Sequence, residues 1–557
     1  MAEMLHVHSK KKSEGQDIIE TGSSTPPARV LSSLLTILLT AGLLEVLYLL
    51  LVALSPLPGL HLSRTPLIRA WSWTLLPSQL LFPGNGTGTT MAQEAGLMLL
   101  LSLTLAALMG AYALLVWRTS RVTAAISSRW LILLLAGALL FGLTLLFQPA
   151  LFSDDVFTYI FSGRILSIYH ADPLNTAPIQ FPADPYLQWM ISGRQDANIY
   201  GPLWLLIASL LANISSSPVI TLLLFKGLAL LSHLVNCVLI WAILTKIAPQ
   251  RRLLGTLLYA WNPLALIELA GSGHSEGLLS AILLLATLVY VEGYRSKGRW
   301  HELVALLLFG LAISINLVAL LIAPLFLWFL LRDKTNISGV LWGFCWRALV
   351  SLGLVIPIYL PFWRGASTFF AIISVIDMQH FVHSPIGLLT DPVRWAFGLV
   401  DQWSNFPPVM QPTIAADMAL RFSAIFIFAL IYIQLFGNVR RAPTTVPDIH
   451  QTPSSDQEMR LPGFDVLTDC WASAVFWYLV LIMGWFWPWY VLWALWIVGL
   501  RRPNGHTFAV LLLSGTALLI YPLLAFPGSP FAAYQSLLIF GVPLVFLFMD
   551  RKKLKVQ

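Results

Sequence analysis

Trp130-Leu131-Ile132-Leu133-Leu134-Leu135-Ala136-Gly137-Ala138-Leu139-Leu140-Phe141-Gly142-Leu143-Thr144-Leu145-Leu146-Phe147-Gln148-Pro149-Ala150-Leu151 runs straight into Phe152-Ser153-Asp154-Asp155. An apolar run of about 18 residues or more reads as a transmembrane helix. Carboxylates at the exit of such a span lie at the lipid–water boundary. A reaction between a lipid-borne substrate and a polar one needs a base at that level.

The same pattern recurs along the chain. Its 557 residues have a mean hydropathy of +0.77, with 57% hydrophobic and 11% charged residues, whereas soluble domains carry about 25% charged residues. The composition predicts an all-α polytopic integral membrane protein. It excludes a β-barrel, which needs short alternating segments. The net charge of +7 fits positively charged cytoplasmic loops and anionic lipid. The basic residues are scattered over short loops, so nucleic-acid binding is excluded. Cys237, Cys345 and Cys470 fall in apolar segments and read as packing residues, not a disulfide framework. Lys10-Lys11-Lys12 precede polar sequence and then a long apolar run without a clear cleavage site, which reads as a first span, not a signal peptide.

Spans are expected near 30–54, 93–117, 130–151, 217–245, 253–270, 274–293, 302–317, 318–331, 341–362, 414–436, 469–485, 489–500, 507–526 and 531–549. That makes about fourteen, with tight hairpins around 317 and 487. Lys and Arg then cluster on one side: Arg118, Arg121 and Arg129; Lys246, Arg251 and Arg252; Arg295, Lys297 and Arg299; Arg332 and Lys334; Arg440 and Arg441; Arg501 and Arg502; and the tail Arg551, Lys552, Lys553 and Lys555. This side is expected to be cytoplasmic, with both termini on it. Residues 202–213 break the parity and are expected to be re-entrant or interfacial.

The expected organisation is a disordered cytoplasmic N-terminus over 1–28, one polytopic domain over 29–549 and a basic cytoplasmic tail over 550–557. Loops 55–92, 152–201 and 363–413 face outward, 152–201 being the first catalytic loop. The Pro-rich loop 437–468 faces inward. No soluble stretch is long enough to fold alone, so any chemistry is done at the membrane face.

Three polar transitions could carry that chemistry. The first is Ser153-Asp154-Asp155-Val156-Phe157-Thr158-Tyr159 through Gly163-Arg164. Asp154 and Asp155 are neighbours and point in different directions on any regular backbone, so one can face a site while the other binds elsewhere. The second runs from Trp261-Asn262-Pro263-Leu264 to Gly271-Ser272-Gly273-His274-Ser275-Glu276, a small-residue turn that admits a ligand close to the backbone. The third is Trp485-Phe486-Trp487-Pro488-Trp489-Tyr490, an interfacial aromatic belt or a sugar- or prenyl-stacking wall. The topology puts all three on the outer face. Arg164, Arg194, Arg364, His380, His383 and Arg394 lie in or near that face and could pair with phosphate. Glu45, Lys226, His233, Arg347 and Arg421 fall within spans or near their ends, where ionisable groups signal pairing or function.

In order along the chain, these segments resemble the motifs of the GT-C superfamily of integral-membrane glycosyltransferases. Asp155-Val156-Phe157-Thr158-Tyr159, Gly163-Arg164 and Asp172-Pro173 resemble its Asp-Val-Tyr-x-Tyr…Gly…Asn/Asp-Pro-Tyr pattern. Tyr200-Gly201-Pro202-Leu203-Trp204 is similar to Tyr-Gly/Pro-Pro-Leu-Trp. Trp261-Asn262-Pro263-Leu264…Gly273-His274-Ser275-Glu276 resembles Trp-Asn-Pro-Leu…Gly-His-Asn-Asp, and Trp487-Pro488-Trp489-Tyr490-Val491-Leu492-Trp493 resembles Trp-Pro-Trp-Tyr-Leu-Leu-Trp. The resemblance is strongest to the bacterial polyprenyl-phosphate-mannose-dependent α-mannosyltransferases. The chain departs from the pattern at Phe157, Leu174, Ser275-Glu276 and Asn316, the last standing where many relatives have Lys.

The resemblance implies a hexosyltransferase, with mannose the first choice. Its donor would be a polyprenyl-phosphate-sugar and its acceptor a glycan or glycolipid, outside the cytoplasmic membrane. Asp155 maps onto the base, with Asp154 adjoining. Arg164, Tyr159, Tyr200, His274, Glu276, Trp487, Trp489 and Tyr490 are the expected substrate-binding residues. No nucleotide-binding loop is present in the sequence, and a divalent cation beside the aspartates is left open. The alternative is a transporter or lipid flippase, which needs polar groups through the midplane; Glu45, Lys226, His233 and Asn316 are the candidates. A ligase using a diphosphate-linked lipid would differ only in donor.

Overall fold

The computed structural model describes residues 27–57, 60, 71–82, 90–121, 127–197, 200–296, 298–368, 383–401, 411–444, 461–525 and 534–554. The N-terminus with Lys10, Lys11 and Lys12, His380, residues 445–460 of the Pro-rich loop, the 527–530 turn and Lys555 lie outside the described residues.

All regular structure among the described residues is helical. The chain opens with α1 (Pro27–Leu54), α2 (Met91–Thr119) and α3 (Arg129–Leu146). Next come α4 (Asp155–Ser167), α5 (Pro202–Ile214), α6 (Pro218–Ile247), α7 (Arg252–Ala260), α8 (Glu276–Ser296), α9 (Arg299–Ile315) and α10 (Ile337–Tyr359). The last six are α11 (Pro385–Asp401), α12 (Pro412–Arg440), α13 (Phe464–Leu481), α14 (Leu492–Leu500), α15 (Gly505–Thr516) and α16 (Gln535–Leu554).

Nine described helices are long and apolar enough to cross a membrane, or ten if the bent pair Pro249–Ala260 and Pro263–Gly271 is one span. Length and composition thus support nine or ten of the expected fourteen spans among the described residues. Leu317–Phe329, Pro488–Leu500 and Gln535–Met549, where the sequence suggested spans, are shorter apolar helices, as is Pro202–Ile214. Burial separates centre from periphery: 61% of the most apolar window of α6 is buried inside the protein, against 6% for α12. The lipid-facing helices expose large side chains such as Leu341, Trp342, Phe422 and Ile433, because hydrocarbon solvates them as well as protein does.

Two expected loops contain helices. Loop 152–201 holds α4, and loop 363–413 holds α11. Val156, Phe157 and Tyr159–Ile165 are all buried, so α4 is enclosed on nearly every side. It therefore has no polar face and no amphipathic period to reveal it.

Glycine sets two close approaches around α4. A Cβ on Gly163 would lie 2.3 Å from the Ala208 carbonyl oxygen, so α4 and α5 cross backbone to backbone there. A Cβ on Gly201 would lie 2.3 Å from the Ser314 oxygen and 2.6 Å from that of Ile315. The Gly201 amide donates to Ile315 O at 3.1 Å. Pro202 then starts α5 at a position where no amide hydrogen is needed.

The second motif breaks a helix. Pro263 cannot continue the α7 hydrogen-bond ladder, and the chain bends by 52°. Asn262 caps the new segment, its side-chain oxygen accepting from the amides of Leu264 at 3.0 Å and Ala265 at 3.4 Å. Trp261 Nε1 donates to Leu134 O at 2.9 Å, pinning the break against α3. Ile267–Gly271 then widens into a π-helical turn, a feature common at functional sites. Gly273, with φ of 81°, turns the chain towards α8 in a conformation that suits glycine.

Candidate active site

α4 starts at Asp155, and Asp155 and Tyr159, one turn apart, share the face that meets the 271–274 turn. Asp155 Oδ2 accepts from the Tyr200 hydroxyl at 3.3 Å and lies 3.9 Å from His274 Nδ1. The same nitrogen is 3.2 Å from the Tyr159 hydroxyl. Tyr200 reaches the carboxylate because Gly201 and Pro202 seat its backbone against the end of α9. Its ring meets that of Tyr159 edge-on, with centroids 4.8 Å apart.

His274 is fully buried. On its far side, Nε2 lies 3.3 Å from Glu268 Oε2. Glu268 is also fully buried, and its Oε1 accepts a short hydrogen bond from the Tyr521 hydroxyl. Trp489 stacks on the imidazole with centroids 4.2 Å apart and planes 22° apart. Trp487 stacks on Trp489 at 5.1 Å and 5°, and His383 meets Trp487 at 5.1 Å. Tyr490, beside Trp489, stacks on Trp493 at 4.5 Å. Glu276 opens α8 as a buried carboxylate with Oε2 unpaired.

The electrostatics follow from this packing. The Asp155 side chain keeps 21% of its exposure, so the carboxylate is reachable yet short of water. Burial pushes its carboxyl up to about 6, while His274 pulls it down, Asp154 adds to the rise and the Tyr200 hydroxyl opposes it. A carboxylate with that value can take a proton near neutrality and still be ionised there. For His274, burial works against the charged form, but Glu268, Glu276 and Asp155 outweigh it and raise the imidazole above its ordinary value. Burial holds the Tyr200 phenol well above its usual range, so it stays a donor.

Eight of the ten residues expected at the site converge here: Asp155, Tyr159, Tyr200, His274, Glu276, Trp487, Trp489 and Tyr490. The other two have different partners. Asp154 accepts from the amides of Ile191 at 2.8 Å and Ser192 at 3.0 Å and from the Ser192 hydroxyl at 2.9 Å, tying the following loop to the start of α4. Arg164 is about 13 Å further along the α4 axis. It donates from Nε at 3.0 Å and from a terminal nitrogen at 2.9 Å to Asp184 Oδ2, and its guanidinium lies 4.1 Å from the Tyr186 ring centroid.

Glu268 and Tyr521 are site residues that the sequence reading passed over. Glu268 carried a usable signal, since a lone carboxylate in the apolar stretch 253–270 invites the same question as Glu45 or Lys226. Tyr521 carried none. No group of three or more His, Cys, Asp or Glu among the described residues is arranged to hold a metal ion.

Residues 40–332 match the family model described as Alpha-(1->6)-mannopyranosyltransferase, N-terminal domain. No curated protein matches the chain. The matched part carries Asp155, Tyr159, Tyr200, Glu268, His274 and Glu276, whereas Trp487, Trp489, Tyr490 and Tyr521 lie beyond it. The match covers more than half of the 557 residues, and the protein belongs to the alpha-(1->6)-mannopyranosyltransferase family.

Proposed function

We propose that the protein moves a mannosyl residue from a polyprenyl-phosphate-sugar donor to a glycan or glycolipid acceptor, on the outer face of the cytoplasmic membrane. Family membership supports mannosyl transfer; the donor, the acceptor and the side of the membrane are our reading. The observation that carries the mechanism is Asp155, a partly exposed carboxylate that burial pushes up to about 6, set beside a wholly buried His274–Glu268 pair.

Asp155 takes the proton from the acceptor hydroxyl as that oxygen forms its bond to the anomeric carbon. The bond from that carbon to the phosphate oxygen breaks, and its electron pair leaves with the lipid phosphate. One displacement inverts the centre, as in inverting sugar chemistry generally. Trp487, the half-buried outer ring of its stack with Trp489, offers an apolar surface for the sugar ring or the first prenyl unit. Tyr159, Glu276 and Tyr490 border the same space. Asp154 and Arg164, through Ser192 and Asp184, brace the loop that follows α4. Residues 29–549 form one transmembrane catalytic unit with both termini cytoplasmic.

The transporter reading loses support because its midplane candidates are engaged in holding helices. Glu45 accepts from the Thr144 hydroxyl at 2.5 Å, and Lys226 donates to Leu145 O at 3.3 Å and, in a short bond, to Gln148 O. His233 lies 2.9 Å from Ala260 O, and Asn316 caps the Val318 amide at 3.0 Å.

The test uses purified protein in lipid with polyprenyl-phosphate-mannose, radiolabelled in the sugar, and a short α-mannoside. Wild type transfers label, and Asp155→Asn loses about 100- to 10,000-fold, the usual contribution of a positioned base. Equal transfer by both removes Asp155 as base. No transfer by wild type with this donor, but transfer from a diphosphate-linked one, refutes the donor assignment.

A further inference from the structure

The site contains a buried carboxylate that touches no substrate-accessible surface. Glu268 sits in the π-helical turn, fully buried, with Oε1 bound by the Tyr521 hydroxyl and Oε2 facing His274 Nε2 at 3.3 Å. His274 in turn presents Nδ1 to Asp155 at 3.9 Å. The hydrogen-bond partner of Nδ1 is the Tyr159 hydroxyl at 3.2 Å; the Glu268 and Asp155 carboxylates act on the two edges of the ring through their charge, which favours the imidazolium. The Trp489 ring lies over the imidazole at 4.2 Å, an arrangement that favours a cation.

The other charged and titratable groups around His274 are Glu276 on α8, Asp155 and Tyr159 on α4, and Tyr200 before α5. Lys226 is the neighbouring base: its Cγ lies 3.1 Å from where a Cβ on Gly273 would sit. Its ammonium, however, is directed at the carbonyls of Leu145 and Gln148. Asp154, whose charge acts on Asp155, is held by Ile191 and Ser192. The carboxylates around His274 thus outnumber the cations that face them.

We propose that Glu268 is a positioning residue of the transfer reaction: it fixes His274 as an imidazolium whose Nδ1 edge faces Asp155, and that cation keeps the enclosed base ionised. Tyr521 orients Glu268 for this role, and Trp489 covers the charge. The direction in which the imidazole is displaced, upward despite complete burial, agrees with the geometry. The proposal rests on the reading of Asp155 as the base.

The test uses the full chain in lipid with isotope-labelled histidine, followed by nitrogen NMR as pH is varied. The His274 signal is the one missing from His274→Asn. In wild type it stays charged above the ordinary histidine value of about 6.5. In Glu268→Gln its midpoint falls by about 1 to 3 pH units, the usual effect of losing an opposite charge at this range. Glu268→Asp, which keeps the carboxylate, restores part of the shift. A parallel assay of mannosyl transfer shows the acid limb of the pH–rate profile moving to higher pH in Glu268→Gln, because the loss of the His274 cation beside Asp155 outweighs the loss of the weaker Glu268 repulsion that raises it. A merely structural Glu268 would lower the whole profile without moving its limb.

A His274 midpoint unchanged by Glu268→Gln overturns the proposal. If Glu268→Gln does not fold, a neutral His274 in the wild type at neutral pH overturns it equally. These outcomes are separable from failure of the underlying reading: transfer by Asp155→Asn at the wild-type rate removes Asp155 as base, whatever His274 does.

Discussion

Removing one oxygen atom, that of the Tyr200 hydroxyl, should move the pH dependence of the enzyme by a calculable amount. The hydroxyl donates to Asp155 Oδ2 at 3.3 Å, long for an O–H···O bond. A hydrogen bond to a charged group contributes about 1.5–3 kcal/mol, and the length places this one at about the lower end. One pH unit corresponds to about 1.4 kcal/mol, so Tyr200→Phe raises Asp155 by about one unit from its value of about 6. The ring contact with Tyr159 at 4.8 Å survives the substitution, so geometry is kept. The sign is fixed by the role: a base works deprotonated, and the rate falls as pH drops through its titration. The variant's acid limb therefore lies about one unit above that of wild type. At the wild-type midpoint the ionised fraction drops from about one half to about one eleventh, a roughly five-fold loss of rate. At alkaline pH the two profiles converge. The assay is kcat against pH for sugar transfer from the lipid donor. A midpoint that stays put, or a profile lowered evenly at every pH, refutes the assignment of Asp155 as the titrating base held by Tyr200.

Two substitutions test the scaffold. Gly163→Ala gains about 1 kcal/mol of helix propensity in isolation, yet its Cβ would meet Ala208 O at 2.3 Å; overpacking of about 1–3 kcal/mol makes the outcome destabilising, read as a lower thermal unfolding temperature in detergent. Asp184→Asn leaves a buried guanidinium without its charge partner, the two side chains being 11% and 0% exposed. The expected cost is about 3–5 kcal/mol, read by the same unfolding measurement. The double variant Arg164→Met with Asp184→Leu recovers the part of this loss that comes from the unpaired guanidinium, though not the part from the Tyr186 amide and Tyr169 hydroxyl that Asp184 also accepts from, and keeps transfer; loss of transfer in a folded double variant would return Arg164 to the donor phosphate.

The sequence showed where the chain leaves its spans with polar residues, and three of those ends come together around His274. Asp155, His274 and Trp489 belong to three separated segments, each legible because a polar or aromatic block interrupts an apolar run, whereas Tyr200 was legible only through the resemblance of 200–204 to a family motif. What stayed hidden depended on partners distant in sequence. Arg164 reads as an available cation until Asp184 is seen beneath it in an irregular loop. Asp154 and Asp155 read as a pair, but adjacent side chains diverge, and Ser192 claims the first. Asn262 belongs to a motif that looks chemical, yet its side chain caps a broken helix and donates to Ser514 Oγ at 3.0 Å. Helix α4 escaped notice because burial on all sides erases the periodicity by which helices are recognised.

The family match ends at residue 332, but the physics of the site does not. Tyr521 supplies the donor to Oε1 of the fully buried Glu268; without it that oxygen would have no partner in a medium that solvates it poorly. His274 is enclosed because Trp489 covers one face of its ring. Gly255 and Gly499 let α7 and α14 meet backbone to backbone, a Cβ on Gly255 lying 2.3 Å from Gly499 O, and Asn262, just past α7, reaches Ser514 on α15. A chain cut after 332 would keep Asp155, His274 and Glu268 while opening their surroundings to solvent. Water would then replace the burial that raises Asp155, returning its carboxyl towards the ordinary, weakly basic range. The groups nearest Asp155 thus come from the matched half, and the enclosure that raises its carboxyl depends on the other half.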